Sequence, residues 1–199
     1  MRLNGLKIGF GVTGSHCTLS KAFTAARRLV TEEGAYLYPI FSTSVNETNT
    51  RFGNATFWRE EMKSISGHDI ITTILDAEPI GPKHLLDVMI IAPASGNTIG
   101  KLVNGIIDTP VLMAAKAHLR NGGPLVIAVS TNDGLGISGK NIASLCNYKN
   151  IYMVPFGQDD PVHKPNSVVA KMDMIPDTVV AAMKNEQIQP VLIEYFSEL

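Results

Sequence analysis

The stretch Gly5-Leu-Lys-Ile-Gly-Phe-Gly-Val-Thr-Gly-Ser-His-Cys-Thr-Leu-Ser20 constrains the fold more than any other. Leu6, Ile8, Phe10 and Val12 form a near-continuous apolar run, which a strand buried on both faces requires. The run breaks on glycine, turns tightly and opens a helix. Gly9, Gly11 and Gly14 read as positions freed for positive φ or for close approach by a ligand. Ser15, Thr18 and Ser20 place hydroxyls where the helix begins, as N-caps or phosphate donors. A helix start also offers unpaired N–H groups and the positive end of a dipole, which favours an anion. The loop is therefore a candidate phosphate site.

Gly9, Gly11 and Gly14 satisfy the Gly-x-Gly-x-x-Gly pattern. A dinucleotide site also wants an acidic residue about 20 residues further on, at the end of the next strand. That strand, Ala35-Tyr-Leu-Tyr-Pro-Ile-Phe41, ends instead in Ser42-Thr-Ser44. Hydroxyls there suit a second set of phosphate contacts and so a mononucleotide. A glycine-rich βα turn without a ligand fits the same pattern.

The remaining chain alternates strand and helix patterns. The periodicity predicts a helix over Leu19–Glu33, ended by Gly34. Strands follow at Leu86–Ala92, Leu125–Val129 and Ile151–Val154, and helices at Phe57–Ile65, Ile70–Leu75, Ile99–Ile107, Ser138–Cys146 and Asp177–Asn185. Asp108-Thr-Pro110 starts another helix, with proline in its first turn. Ser44–Gly53 and Pro155–Asn166 read as polar loops, and Val191–Ile193 as a short apolar tail. The sum is an α/β fold, a doubly wound parallel sheet, in one domain spanning residues 1–199. Polar, glycine-containing turns follow the first four strands, so they should share one edge of the sheet, where such folds bind ligands. At the third turn Ala94 and Gly96 let a heterocycle approach, and Ser95, Asn97 and Thr98 can hydrogen-bond it.

Composition excludes several classes of function. Seventeen basic against eighteen acidic residues leave a net charge of −1, which argues against a nucleic-acid or polybasic membrane role. No apolar run reaches the length of a membrane span, and the N-terminus lacks a signal-peptide pattern, so a cytoplasmic protein is expected. Cys17 and Cys146 lack metal or CxxC spacing, so they read as free thiols and no metal site is expected. Only 18% of residues are charged and the mean hydropathy is +0.11, which fits either a well-filled core or surface buried in a homo-oligomer.

Pro93-Ala-Ser-Gly-Asn-Thr98 resembles the signature of the homo-oligomeric flavin-containing Cys decarboxylases, of the flavoprotein superfamily. Lys101-Leu-Val-Asn-Gly-Ile-Ile-Asp108 resembles that signature's continuation, and Gly11-Val-Thr-Gly-Ser15 its phosphate loop. Asn49–Gly53, Pro110–Ala117, Ser130–Asp133, Pro155–Pro161, Lys164–Ser167 and Gln189–Glu194 extend the likeness over nearly the whole chain, to the family of dipicolinate synthase B subunits.

The resemblance implies a Rossmann-like, three-layer α/β/α flavoprotein fold that binds FMN. It implies an oxidoreductase subunit that acts with an A subunit carrying NADP, in the mother cell of a sporulating bacterium. The substrate would be a dihydrodipicolinate-type dicarboxylate, oxidised to dipicolinate. Relatives form trimers and dodecamers. Carried onto this chain, the phosphate falls on Gly14, Ser15 and Ser42 or Ser44, and the flavin ring near Ala94, Ser95, Asn97 and Thr98. Thr13, Ser130 and Asn132 complete the cofactor-binding set.

Two departures bear on chemistry. The decarboxylases' upstream histidine aligns without gaps on Pro79, with His84 off register, and Ser130-Thr-Asn132 replaces their P-x-M-N segment. His16 and Asn132 remain as catalytic candidates. Asp159 or Asp160 would serve as a general base, and Arg51, Lys116, His163 and Lys164 as carboxylate ligands. Each of these also reads as an ordinary loop or surface residue. Three roles follow: an FMN-binding redox subunit, a non-redox ligand-binding or structural subunit of the same complex, and a flavin-dependent decarboxylase.

Overall fold

The computed structural model describes residues 1–194. Five parallel strands build the sheet: β1 (Lys7–Val12), β2 (Tyr36–Phe41), β3 (Val88–Ala94), β4 (Leu125–Thr131) and β5 (Ile151–Met153). The parallel part runs in the order β2-β1-β3-β4-β5. Strand order therefore reverses between β1 and β3, which places a crevice at their carboxyl ends. β6 (Phe156–Gly157) and β7 (Val168–Ala170) add an antiparallel pair, β7 lying against Ser130 and Thr131 of β4. These two strands replace part of the expected loop and make the sheet mixed rather than purely parallel. Leu192 bridges to Phe156, which gives the expected apolar tail a place beside β6.

β1, β3 and β4 are buried on both faces because helices cover both sides. α1 (Leu19–Thr31) turns Leu19, Ala22, Phe23, Ala26 and Leu29 inward at helical spacing. α3 (Ala55–Ser66) inserts Trp58 against Phe23, with ring centroids 4.9 Å apart in an edge-on contact. α6 (Pro110–Arg120) starts as expected, with Pro110 in its first turn and the Thr109 hydroxyl accepting from the Leu112 N–H at 3.2 Å. α5 (Gly96–Val103) begins three residues earlier than the periodicity suggests, because Ser95 caps it, accepting from the Thr98 N–H. α7 (Gly139–Asn147) and α8 (Ile175–Ala182) complete the layers. Between β2 and β3, the polar loop holds a short helix, α2 (Thr43–Glu47), and the expected Ile70–Leu75 helix shrinks to α4 (Ile74–Ala77). Ile71 is withdrawn from it by a parallel bridge to Ile40.

The glycines of the first strand work differently from the sequence expectation. None of Gly9, Gly11 and Gly14 has positive φ. A Cβ on Gly9 would stand 2.4 Å from Leu86 Cδ1, and one on Gly11 would stand 2.8 Å from Val111 Cγ1. Both are glycine so that the β3 entry and α6 can close on β1. Only Gly14 reaches the ligand edge.

The N-terminus is clasped by ion pairs. Arg2 bonds Glu33 through its guanidinium and its own N–H, and Asp177 at 2.6 Å. Glu33 is buried, and the Arg2 hydrogen bonds pull its carboxyl down to about 2. A carboxyl depressed on folding stabilises above its unfolded value, and that contribution fades as pH falls from 4.5 toward about 2. Glu33→Gln is therefore expected to lose roughly 1–2 kcal/mol at neutral pH, the half-exposed Arg2 keeping the figure low. Chemical denaturation as a function of pH checks this: the gap from the parent protein should close through that acid window and not elsewhere.

Candidate functional site

The turns after β1, β3 and β4 meet at the crevice, where the chain leaves a cleft of about 990 Å³. One wall is the β1 loop, from Gly14 to Thr18. The floor is the start of α5, at Ser95, Gly96 and Asn97, together with Ser130–Asp133 at the end of β4. A strap between β6 and β7, carrying Asp159, Asp160, His163 and Lys164, forms the opposite wall.

Side-chain hydroxyls tie these turns together. Thr13 Oγ1 donates to the Pro93 carbonyl at 2.7 Å and accepts from the Ser95 N–H at 2.9 Å, linking the β1 loop to the β3 loop. Ser15 Oγ donates to the Ser130 carbonyl at 2.6 Å, linking β1 to β4. The Thr18 hydroxyl stands 3.0 Å from both the Ser15 carbonyl and Ser130 Oγ. Thr18 thus braces the loop, and α1 has no side-chain cap. Ser20 is exposed on α1, away from the cleft lining.

Of the residues proposed from sequence, Gly14, Ser15, His16, Ser95, Asn97, Ser130 and Asn132 line the cleft together. Thr13, Ala94 and Thr98 do not. Thr13 is 1% exposed with both its hydrogen bonds spent, Ala94 lies in the core, and Thr98 is turned back on Ser95 Oγ at 3.0 Å. They shape the wall from behind, so they are corrected from ligand contacts to supports. Ser44 stands behind Gly14, its Oγ 3.2 Å from His16 Nε2. Ser42 is buried, with an Oγ that has no partner. His16 Nδ1 is likewise buried and unpartnered. Burial lowers the pKa of this ring and favours its neutral form.

The charged candidates separate. Arg51 lies over the Phe52 ring, 4.8 Å from its centroid, and Lys116 borders a different, apolar groove beside α5 and α6. Neither lines the cleft, whereas His163 and Lys164 do. The N–H of His163 donates to Asp160 Oδ1 and its Nδ1 stands 3.0 Å from the same oxygen, which keeps the Asp160 carboxyl below the usual range. Asp133 accepts from the Ser138 N–H. Asp159 Oδ1 is buried with no partner. Pro79 and His84, at or near the decarboxylases' histidine position, lie outside the cleft lining. Cys17 is exposed at the cleft, and among the described residues no three metal-ligating side chains come together.

Sequence reasoning missed Thr131, Ser138, Thr50 and Phe52 on the lining. Thr131 and Ser138 flank the glycine-rich turn after β4 and were within reach of the same argument that found Ser130 and Asn132. Thr50 and Phe52 arrive from the connection between β2 and α3, inside the Asn49–Gly53 stretch that carries the family likeness, where only Arg51 reads as a ligand.

Comparison with known proteins places this arrangement. The family model described as Flavoprotein matches residues 1–190. The chain is 50% identical to the B subunit of dipicolinate synthase from Bacillus subtilis (strain 168), over 98% of this chain and 96% of that protein. The crystal structure of the dipicolinate synthase B subunit from Bacillus halodurans C superposes with a TM-score of 0.90 at 49% identity, covering 98% of this chain and all of that one. The FMN-dependent cysteine decarboxylase SpaF, at 16% identity and a TM-score of 0.65 over 93% of this chain and 99% of that one, shares the fold. So does a dodecameric FMN-dependent UbiX-like decarboxylase from Escherichia coli O157:H7, at 20% and 0.62, over 75% and 80% of the two chains. The chain belongs to the flavoprotein family and, within it, to the dipicolinate synthase B subunits.

Proposed function

We propose that this chain is the FMN-binding subunit of a dipicolinate synthase. It works with an A subunit that carries NADP, and the pair oxidises a dihydrodipicolinate-type precursor to dipicolinate in the mother cell of a sporulating bacterium. One observation carries the reading: hydroxyl and amide donors from three strand ends line a single cleft in which a phosphate-type loop stands beside a heterocycle-type loop, the two joined through Thr13. No helix among the described residues is long and apolar enough to cross a membrane. Leu135 and Ile137, in the turn after β4, are exposed at 59% and 77%, apolar side chains suited to burial between copies in a trimer or dodecamer.

The residues present fit the cofactor. Gly14 leaves a cradle beside Ser44, since a Cβ there would come within 2.9 Å of Ser44 Oγ. His16 Nδ1 is an unpartnered polar atom next to that cradle. Backbone N–H groups at the start of α5 and the side chains of Asn97 and Asn132 offer donors and acceptors to a ring edge. Bound FMN would supply a two-electron acceptor, and the chain would orient it, exclude water and place charge. The Pro79 and His84 positions stand away from this cleft, which favours oxidation over Cys-type decarboxylation.

The absorption spectrum of the purified protein, free and with the A subunit, precursor and NADP, tests the reading. Flavin absorbance with dipicolinate formation is expected, and a colourless protein that cannot be reloaded with FMN would overturn it. Ser15→Ala and Asn97→Ala should each weaken flavin retention by about tenfold, the loss of one or two polar contacts. Gly14→Val should be worse than either, because its Cβ would drive Ser44 out of the cradle. Equilibrium dialysis against FMN measures all three. Thr13→Val keeps shape but strips the Pro93 carbonyl and the Ser95 N–H of their shared partner. A loss of roughly 2–4 kcal/mol in stability is expected, with flavin affinity falling alongside, read by denaturation and by the same dialysis.

A further inference from the structure

The strap between β6 and β7 carries groups that the flavin reading leaves unused. It is closed on itself: the Lys164 N–H donates to the Asp160 carbonyl at 2.8 Å, and Gln158 Nε2 donates to the Pro165 carbonyl at 2.8 Å. This turn returns Lys164 to the Asp159–Asp160 end, so both signs of charge face the cleft from one short segment.

Two of the cleft's three carboxylates are already engaged. Asp133 takes the Ser138 N–H, and Asp160 takes the N–H and ring of His163. Asp159 differs, because its Oδ1 is buried with no donor. An unpaired carboxylate oxygen out of water is unfavourable unless something donates to it. Asp159 also lines the cleft, so a ligand bringing an N–H or an acidic C–H would meet a carboxylate whose Oδ1 no protein group has claimed. The Lys164 ammonium lines the same cleft, near enough to Asp160 to help hold that carboxyl below its usual range, and offers the complementary charge.

We infer that the strap is the substrate subsite, taking a partly reduced nitrogen heterocycle with carboxylate substituents. Lys164 binds a carboxylate, and Asp159 accepts the proton that the ring loses. The inference rests on the proposed oxidation. In that step one ring C–H bond breaks and its electron pair leaves as hydride to a flavin or nicotinamide. A second ring hydrogen leaves as a proton to the Asp159 carboxylate, and the pair it leaves behind becomes the new ring π bond. Asp159 is thereby separated from His16 and Asn132 as the proton acceptor, and Lys164 from Arg51 and Lys116 as the carboxylate ligand.

The product supplies the test, because dipicolinate keeps both carboxylates but has no proton left to give. Calorimetric titration of dipicolinate into the purified chain should show Lys164→Gln weakening it by about tenfold, one charge-assisted contact. Asp159→Asn should tighten it by about threefold, since a repelling charge is removed. In the complex with the A subunit, Asp159→Asn should lower kcat by about 100-fold or more with KM little changed, and Asp159→Glu should restore part of the loss. Flavin content should be the same in all variants. The inference is overturned if dipicolinate does not bind at millimolar concentration, if Lys164→Gln binds it as the parent does, or if Asp159→Asn weakens it or keeps full turnover. A colourless protein that still binds dipicolinate through Lys164 would remove the flavin reading and leave the subsite standing.

Discussion

The site depends on one buried hydroxyl. Thr13 Oγ1 joins the Pro93 carbonyl to the Ser95 N–H, and so fixes how the first and third strand ends face each other. Parallel strands diverge where their ladder stops, and here the β3–β4 register already shifts between Ile91 and Ala94. Beyond that point the backbone has polar groups that the sheet no longer satisfies. Thr13 satisfies two of them from inside the protein, which leaves the N–H groups at the start of α5 facing the cleft. Ser15 repeats the device toward β4 through the Ser130 carbonyl. The cleft is therefore rigid where a ligand's phosphate and ring would lie.

Close packing below the site serves the same end. Gly9 and Gly11 have no side chains because Leu86 and Val111 fill that space, so β1 is seated tightly between β3 and α6. A close-packed interior resists displacement, since moving one strand end would open voids around Phe10 and Ile90. The loop after β1 inherits that fixity. Gly96 shows the same logic at the site itself: a Cβ there would stand 2.7 Å from Thr131 Oγ1, so α5 can approach β4 only with glycine at its first residue.

Much of this was legible in the sequence, for identifiable reasons. Buried parallel strands read as apolar runs, so β1 to β5 and a doubly wound parallel sheet were visible, whereas the order of the strands came only with the structure. Seven of the proposed site residues share the cleft because polar turns at carboxyl ends must share an edge. What failed were inferences about a residue's direction. Thr13, Ala94 and Thr98 sit in the right turns but point inward, and a bend beyond the ladder decides that. The glycines of β1 matched a ligand motif while answering to Leu86 and Val111, which come from distant parts of the chain. β6 and β7 are two and three residues long and are held by tertiary pairing, β7 with β4 and β6 with β7, so no local periodicity marks them.

That antiparallel pair also explains how one scaffold can carry different chemistry. The parallel sheet and its first turns build the cradle, and the low-identity decarboxylases share that fold. The groups able to move protons come from what is added beyond the parallel ladder. In this chain β4 runs on to Thr131, β7 returns against it, and the strap is thereby held on the cleft that Ser95 and Asn97 also line. Pro79 and His84 belong to the connection that packs beside α6, where Asn121 Nδ2 donates to the Gly81 carbonyl at 2.6 Å, and they cannot reach the cleft without unpicking that layer. In the proposed reaction, acid–base work would then fall to the strap or to the β1 loop. In the β1 loop, burial holds His16 toward its neutral form, beside the atoms that would surround a phosphate. On the strap, by contrast, ionic groups line the cleft. The proposed division of labour follows this topology: anion binding would sit near the strand ends of β1 and β2, proton transfer near those of β4 and β7.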